Sequence, residues 1–134
     1  MSATGIGTKD ESAIREQIEN WARAVENKDF DGILANHSTD ILMFDVPPPI
    51  QSKGIEAYKK TWDLFFDWSP EKPVFEIQEM NVTAGNDVAF VTALMRCVGT
   101  RENENGLDFR LTVGLRKVGD GWIVTHEHHS IPAE

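Results

Sequence analysis

The stretch PVFEIQEMNVTAGNDVAFVTALMRCVGT, residues 73–100, decides the fold. Its two arms, 73–83 and 87–100, are rich in β-branched, aromatic and aliphatic side chains. Ala84, Gly85 and Asn86 part them, which is the pattern of a β-hairpin. The chain then repeats the arrangement. GLDFRLTVGLRKV, 106–118, and GWIVTHEHHSI, 121–131, meet at Gly119 and Asp120, a two-residue turn signal. Four long strands joined by short turns make an antiparallel meander.

Upstream the period changes. Thr8 and Glu11 have capping-box spacing, and behind them Ile14, Ile18, Trp21 and Val25 form one stripe of an amphipathic helix. Residues 27–29 interrupt it. A short second helix carries Phe30, Ile33, Leu34 and His37 on one face. DILMFDV, 40–46, is short and apolar enough for a buried strand, and the prolines at 47–49 stop it because they donate nothing to a ladder. After Gly54 a third helix places Ile55, Tyr58, Trp62 and Phe65 on one side. Three helices followed by a meander specify an α+β domain with the helices on one face of a curved sheet. Residues 1–8 read as a loose tail and 9–134 as one domain.

The chain has 134 residues and a formal charge of −9, which argues against nucleic acid or an anionic membrane as partner. One cysteine, Cys97, forms no intrachain disulfide and suits a reducing cytoplasm. No secretory signal and no 18-residue apolar run is evident. No complete glycine-rich phosphate loop, C-x-x-C or serine elbow appears, so no cofactor is expected.

Taken in order, W…V…KDFDGI…H…D…FDVPPP…G…W, four long strands and a terminal GWIVTHEHHS.P resemble the SnoaL-like group. That group belongs to the ketosteroid isomerase and nuclear transport factor 2-like superfamily, and the resemblance spans roughly residues 10–133. It implies a cone-shaped, mixed or antiparallel curved sheet wrapped around the long first helix, with a pocket between them. It also implies pocket positions for Trp21, His37, Asp45, Trp62, Phe90, Thr92, Leu94, Val113, His126, His128 and Ser130. Asp45 stands where the isomerases carry their proton-shuttling aspartate. Where they place a tyrosine and a protonated aspartate as oxyanion donors, this chain has Trp21 and Val113. Valine donates nothing, and losing such a donor costs on the order of 10²–10³ in rate, so steroid isomerisation is not expected.

Asp45 closes the apolar ILMF run and is the leading candidate for proton abstraction; capping of the following loop is the plainer role. Uninterrupted alternation puts His126, His128 and Ser130 on one strand face and Glu127 and His129 on the other. His126 and His128, with His37, suit general-acid or substrate contacts; three imidazoles also suit a zinc, nickel or copper ion, although no fourth ligand is evident. Glu127 and His129 read as a sheet-surface or dimer-interface pair. Arg96 points toward the pocket mouth, with cross-strand pairing to glutamates as the preferred role for the arginines. Cys97 reads as packing that faces away from the pocket, and Val91, Met95 and Cys97 as an outer surface on which two copies pair. The expectation is a cytoplasmic, cofactor-free enzyme or enzyme-like binder moving protons on an apolar, cyclic ligand. The alternative is a non-catalytic binding or association module.

Overall fold

The computed structural model describes residues 4–69, 72–98 and 106–133. Helix α1 (Thr4–Glu26) leads into the short α2 (Phe30–Leu34), then β1 (His37–Phe44), β2 (Ser52–Lys53) and α3 (Ile55–Trp68). The meander follows as β3 (Val74–Ala84), β4 (Val88–Val98), β5 (Leu107–Val118) and β6 (Gly121–Ser130). The six strands form one sheet in the order β2-β1-β6-β5-β4-β3. Strands β1 and β6 pair parallel and every other neighbouring pair is antiparallel.

The stripe read from the sequence is the stripe that is buried: Ile14, Ile18, Trp21 and Val25 all sit in the core. Full burial of such aliphatic side chains contributes roughly 1.5–3 kcal/mol each. Helix α1 packs on β3, and α3 packs on β1 and β2. Helix α1 starts at Thr4, before the capping-box spacing at Thr8, because such a spacing marks a possible start without stopping an earlier turn from joining. Asp29 caps α2 by accepting from Gly32 N at 3.2 Å. A side chain at Gly32 would meet Ala24 Cβ at 2.8 Å, so glycine is what allows α1 and α2 to touch. His37 does not continue α2. Asn36 takes φ of +59°, the chain turns, and His37 becomes the first residue of β1.

Two irregularities in the sheet decide which side chains face the helices. In β6, Trp122 and Val124 point inward, and uninterrupted alternation would carry His126 and His128 with them. The ladder instead pairs Leu115 with Val124 and then Gly114 with His126, leaving Thr125 as an extra residue. Such a bulge reverses the faces beyond it. Glu127 and His129 therefore turn inward, at 1% and 8% exposure. A second irregularity lies between Ile77 and Glu79 of β3. On β4 the inward set is Val91, Ala93, Met95 and Cys97. Phe90 and Leu94 lie outward, 50% and 46% exposed, and Thr92 shares their face. No helix among the described residues is long and apolar enough to cross a membrane.

Candidate active site

A cavity of about 430 Å³ opens between α3 and the inner sheet face. Trp62, Phe65 and Trp68 of α3 form one wall, and Phe75, Phe109 and Met43 form the other. Val46, Pro47, Leu64 and Ile131 stand at its margin. Among these apolar surfaces two ionisable oxygen- and nitrogen-bearing side chains reach the space, Asp45 from the end of β1 and His129 from β6. Thr61 also lines it, but its hydroxyl already donates to the Tyr58 carbonyl at 2.6 Å.

His129 is held on every side. Its ring stacks on Phe109 at 5.5 Å between centroids and meets the edges of Trp62 at 6.0 Å and Trp21 at 6.5 Å. Its Nε2 approaches Glu127 Oε1 at 3.3 Å, and its Nδ1 lies 3.9 Å from Asp45 Oδ1. The same Asp45 oxygen accepts from Val46 N at 2.8 Å, which fixes the carboxylate at the strand end.

Glu127 is the hub behind the wall. Its Oε2 accepts from the Tyr58 hydroxyl at 2.6 Å and lies 3.0 Å from His37 Nε2. The Tyr58 oxygen in turn accepts from Trp21 Nε1 at 3.1 Å. Burial alone would raise the Glu127 carboxyl. Hydrogen bonds from His129 and His37, with the charges of both imidazoles, outweigh it and bring the group to about 2. Burial, the neighbouring Glu127 charge and the bond to Glu127 hold the Tyr58 phenol well above its ordinary value, so it stays a donor. Trp62 Nε1 leans toward the same hydroxyl without hydrogen-bond geometry and is left buried and unpaired.

The structure brings Trp21, His37, Asp45 and Trp62 of the expected set together around this network and cavity. Val113 is buried on the inner face of β5 and is not part of the cavity wall. The other expected residues lie on the opposite face of the sheet, and the bulge at Thr125 is the reason for those on β6. His126 Nδ1 bonds the Leu42 carbonyl at 2.7 Å, Phe44 packs edge-on against both His126 and His128, and Ser130 accepts from Arg110 at 3.1 Å. Phe90, Thr92 and Leu94 face outward, opposite to the pocket placement the resemblance implied; β4 is apolar on both faces, and the face with Ala89, Val91, Ala93, Met95 and Cys97 is the one that packs inward. With His37 inside and His126 and His128 outside, three imidazoles do not converge. No group of three or more His, Cys, Asp or Glu able to hold a metal ion occurs among the described residues.

Three residues of the site were not expected there. Glu127 and His129 were assigned to the outer surface, and Tyr58 was read only as part of a helical stripe. Cys97 also turns inward and lines the cavity, contrary to its expected direction, while burial pushes its thiol up to about 11. Arg96 pairs with Asp108 across the strands at 3.0 Å. The legible signal for the bulge was Gly114, a lone glycine inside an otherwise continuous strand pattern.

Comparison with known proteins agrees with this architecture. Residues 14–134 match the SnoaL-like domain family. An NTF2-like protein of unknown function from Pseudomonas putida KT2440 is 37% identical, with TM-score 0.86, covering 95% of this chain and 89% of that one. A candidate dehydratase of the NTF2-like family from Streptomyces avermitilis superposes with TM-score 0.80 at 17% identity, covering 94% and 99% of the two chains. A ketosteroid isomerase-like protein from Erwinia carotovora atroseptica gives 0.73 at 18%, covering 90% and 95%. At those lower identities the likeness is one of fold. Among curated proteins none matches.

Proposed function

The chain belongs to the SnoaL-like domain family, and from that premise we propose that it is a proton-transfer enzyme acting on a small, largely apolar cyclic ligand. The observation that carries the reading is the placement of His129 between a buried carboxylate and Asp45, at the wall of an apolar cavity. A cavity of about 430 Å³ lies within the usual range for small-molecule sites.

In this mechanism Asp45 takes a proton from the carbon beside a carbonyl. The Nδ1–H of His129 gives a proton to the carbonyl oxygen, or to a hydroxyl that departs from the neighbouring carbon. Returning the Asp45 proton to a different carbon, while His129 Nδ1 takes its proton back from the oxygen, completes an isomerisation. In a dehydration the hydroxyl leaves as water and the proton held on Asp45 passes back to His129 Nδ1, which restores both groups. Glu127 accepts from Nε2–H and fixes which nitrogen faces the ligand, the orienting role a carboxylate plays behind any catalytic imidazole. Tyr58 holds Glu127 in turn. Positioned acid–base catalysis of this kind contributes roughly 10²–10⁴ in rate. The aromatic walls exclude water, which strengthens each charge interaction inside.

The test needs no knowledge of the natural substrate. Cyclic ketones of one to three rings are incubated with the protein in D₂O, and loss of their α-proton signals is followed by NMR. Accelerated deuteration that falls at least tenfold in Asp45→Asn and in His129→Gln is the expected result. Deuteration at the buffer rate across the panel, or wild-type rates in either variant, sinks the reading.

The outer sheet face favours self-association alongside this activity. Val88, Phe90 and Leu94 of β4 are each about half exposed or more, which is costly for a face left in water. On this reading two copies pair through that face. Sedimentation at micromolar concentration should give a dimer that Phe90→Glu converts to a monomer; a wild-type monomer rejects the pairing.

A further inference from the structure

The proposed chemistry uses one of the two imidazoles that enclose Glu127, and the hydrogen-bond geometry assigns a task to the other. His37 Nδ1 lies 2.8 Å from the Ala35 carbonyl oxygen. A carbonyl only accepts, so Nδ1 carries a hydrogen. His37 Nε2 lies 3.0 Å from Glu127 Oε2 and 3.2 Å from the Tyr58 oxygen. The single hydroxyl hydrogen of Tyr58 is directed at Glu127, 2.6 Å away, and its oxygen already accepts from Trp21. A bare lone pair on Nε2 would therefore face two oxygens and no donor. The His37 and Glu127 side chains are 3% and 1% exposed, so water does not relieve that contact. With hydrogen on both nitrogens, the same contact becomes a charge-assisted bond.

We infer that His37 is a permanent imidazolium, the fixed counter-ion of Glu127, and a positioning residue that leaves the proton on His129 Nδ1 free to exchange. The second half rests on the proton-transfer reading above. Two carboxylates, Glu127 and Asp45, stand against two imidazoles. His37 balances Glu127, so the cavity-facing proton of His129 is balanced against Asp45 alone. Without the His37 charge, the buried Glu127 carboxylate draws its compensating proton onto His129 and holds it there. His129 then has two permanent donors and gives up no proton to a ligand.

The other charged groups near these rings leave the assignment intact. Glu16, Arg23 and Asp29 line the groove between α1 and α2 that His37 also borders. On the cavity side the ionisable groups are Asp45, His129 and the Cys97 thiol, with no lysine or arginine among the described lining residues. Facing His37 directly are Glu127 from β6 and Tyr58 from α3.

Ring-nitrogen NMR on the full chain labelled with ¹⁵N-histidine tests both halves. The four histidines give four sets of signals, assigned by single His→Gln variants. In the wild type at pH 7.5, His37 should show two N–H nitrogens. In His37→Gln at the same pH, exchange of the His129 Nδ1 hydrogen with water should slow by roughly fivefold or more. One bare nitrogen on His37 at pH 7.5 overturns the counter-ion assignment, with no variant required. A fully protonated His37 in the wild type with an unchanged exchange rate at His129 Nδ1 in His37→Gln overturns the coupling. Neither outcome depends on ketone deuteration, so a failure here and a failure of the proposed activity are separately visible.

Discussion

Replacing Glu127 by glutamine keeps the shape of the hub and removes its charge, and the expected cost follows from the carboxylate's environment. The folded protein holds this group at about 2 against an ordinary 4.5. At about 1.4 kcal/mol per pH unit, that is about 3 kcal/mol of stability. The sign is fixed by the direction. A carboxylate depressed in the folded state contributes fully above its unfolded value, and the contribution is lost as pH falls from near 4.5 through about 2. Glu127→Gln should therefore be about 3 kcal/mol less stable than wild type near neutral pH, in keeping with the cost of breaking a buried ion pair from one side. Below pH 5 the two curves should converge, because the wild type alone loses this term. Urea unfolding at half-unit steps from pH 7 to 2.5 measures it, with fluorescence from Trp21 and Trp62 reporting on the core beside the network. A wild-type advantage that stays constant across that range refutes the reasoning, since it would mean the Glu127 carboxylate titrates alike in both states.

Three further outcomes follow from the same geometry. Tyr58→Phe removes a donor to Glu127 and the acceptor for Trp21 Nε1, and should cost about 2–3 kcal/mol by urea denaturation. Deleting Thr125 removes only the extra residue, so Val124 would run directly into His126 and regular alternation would keep Glu127 and His129 inside; the dispersed NMR spectrum of a folded domain should be retained. Cys97, with its thiol pushed from 9.0 to about 11, should react with a disulfide reagent at pH 7.5 about 100-fold more slowly than in urea.

What the sequence made legible was whatever depends on local period. The stripe through Ile14, Ile18, Trp21 and Val25, the turns at Gly85 and Gly119, and the apolar strand that delivers Asp45 needed only neighbours along the chain. The inner face of β6 was not legible in that way. Trp122 and Val124 set an alternation that a single extra residue reversed, and the histidine assignment reversed with it. On β4 the bulkier Phe90 and Leu94 alternate with the smaller Ala89, Val91 and Ala93, both sets apolar, so nothing local opposed the inner placement of Phe90 and Leu94 that the resemblance implied. Glu127 was unreadable for a different reason. A carboxylate is rarely buried unless partnered, and its partners His37 and Tyr58 lie 90 and 69 positions away in sequence.

The central claim is that the working histidine is His129, inside the cavity, rather than the outward-facing pair His126 and His128 that the sequence brings to notice. Titrating a cyclic ketone into ¹⁵N-histidine-labelled protein, and recording which imidazole signals move, tests it directly. The expected result is a saturable shift of His129 with His126 and His128 unchanged. Shifts confined to His126 and His128, or no shift of His129 at saturating ketone, would contradict it.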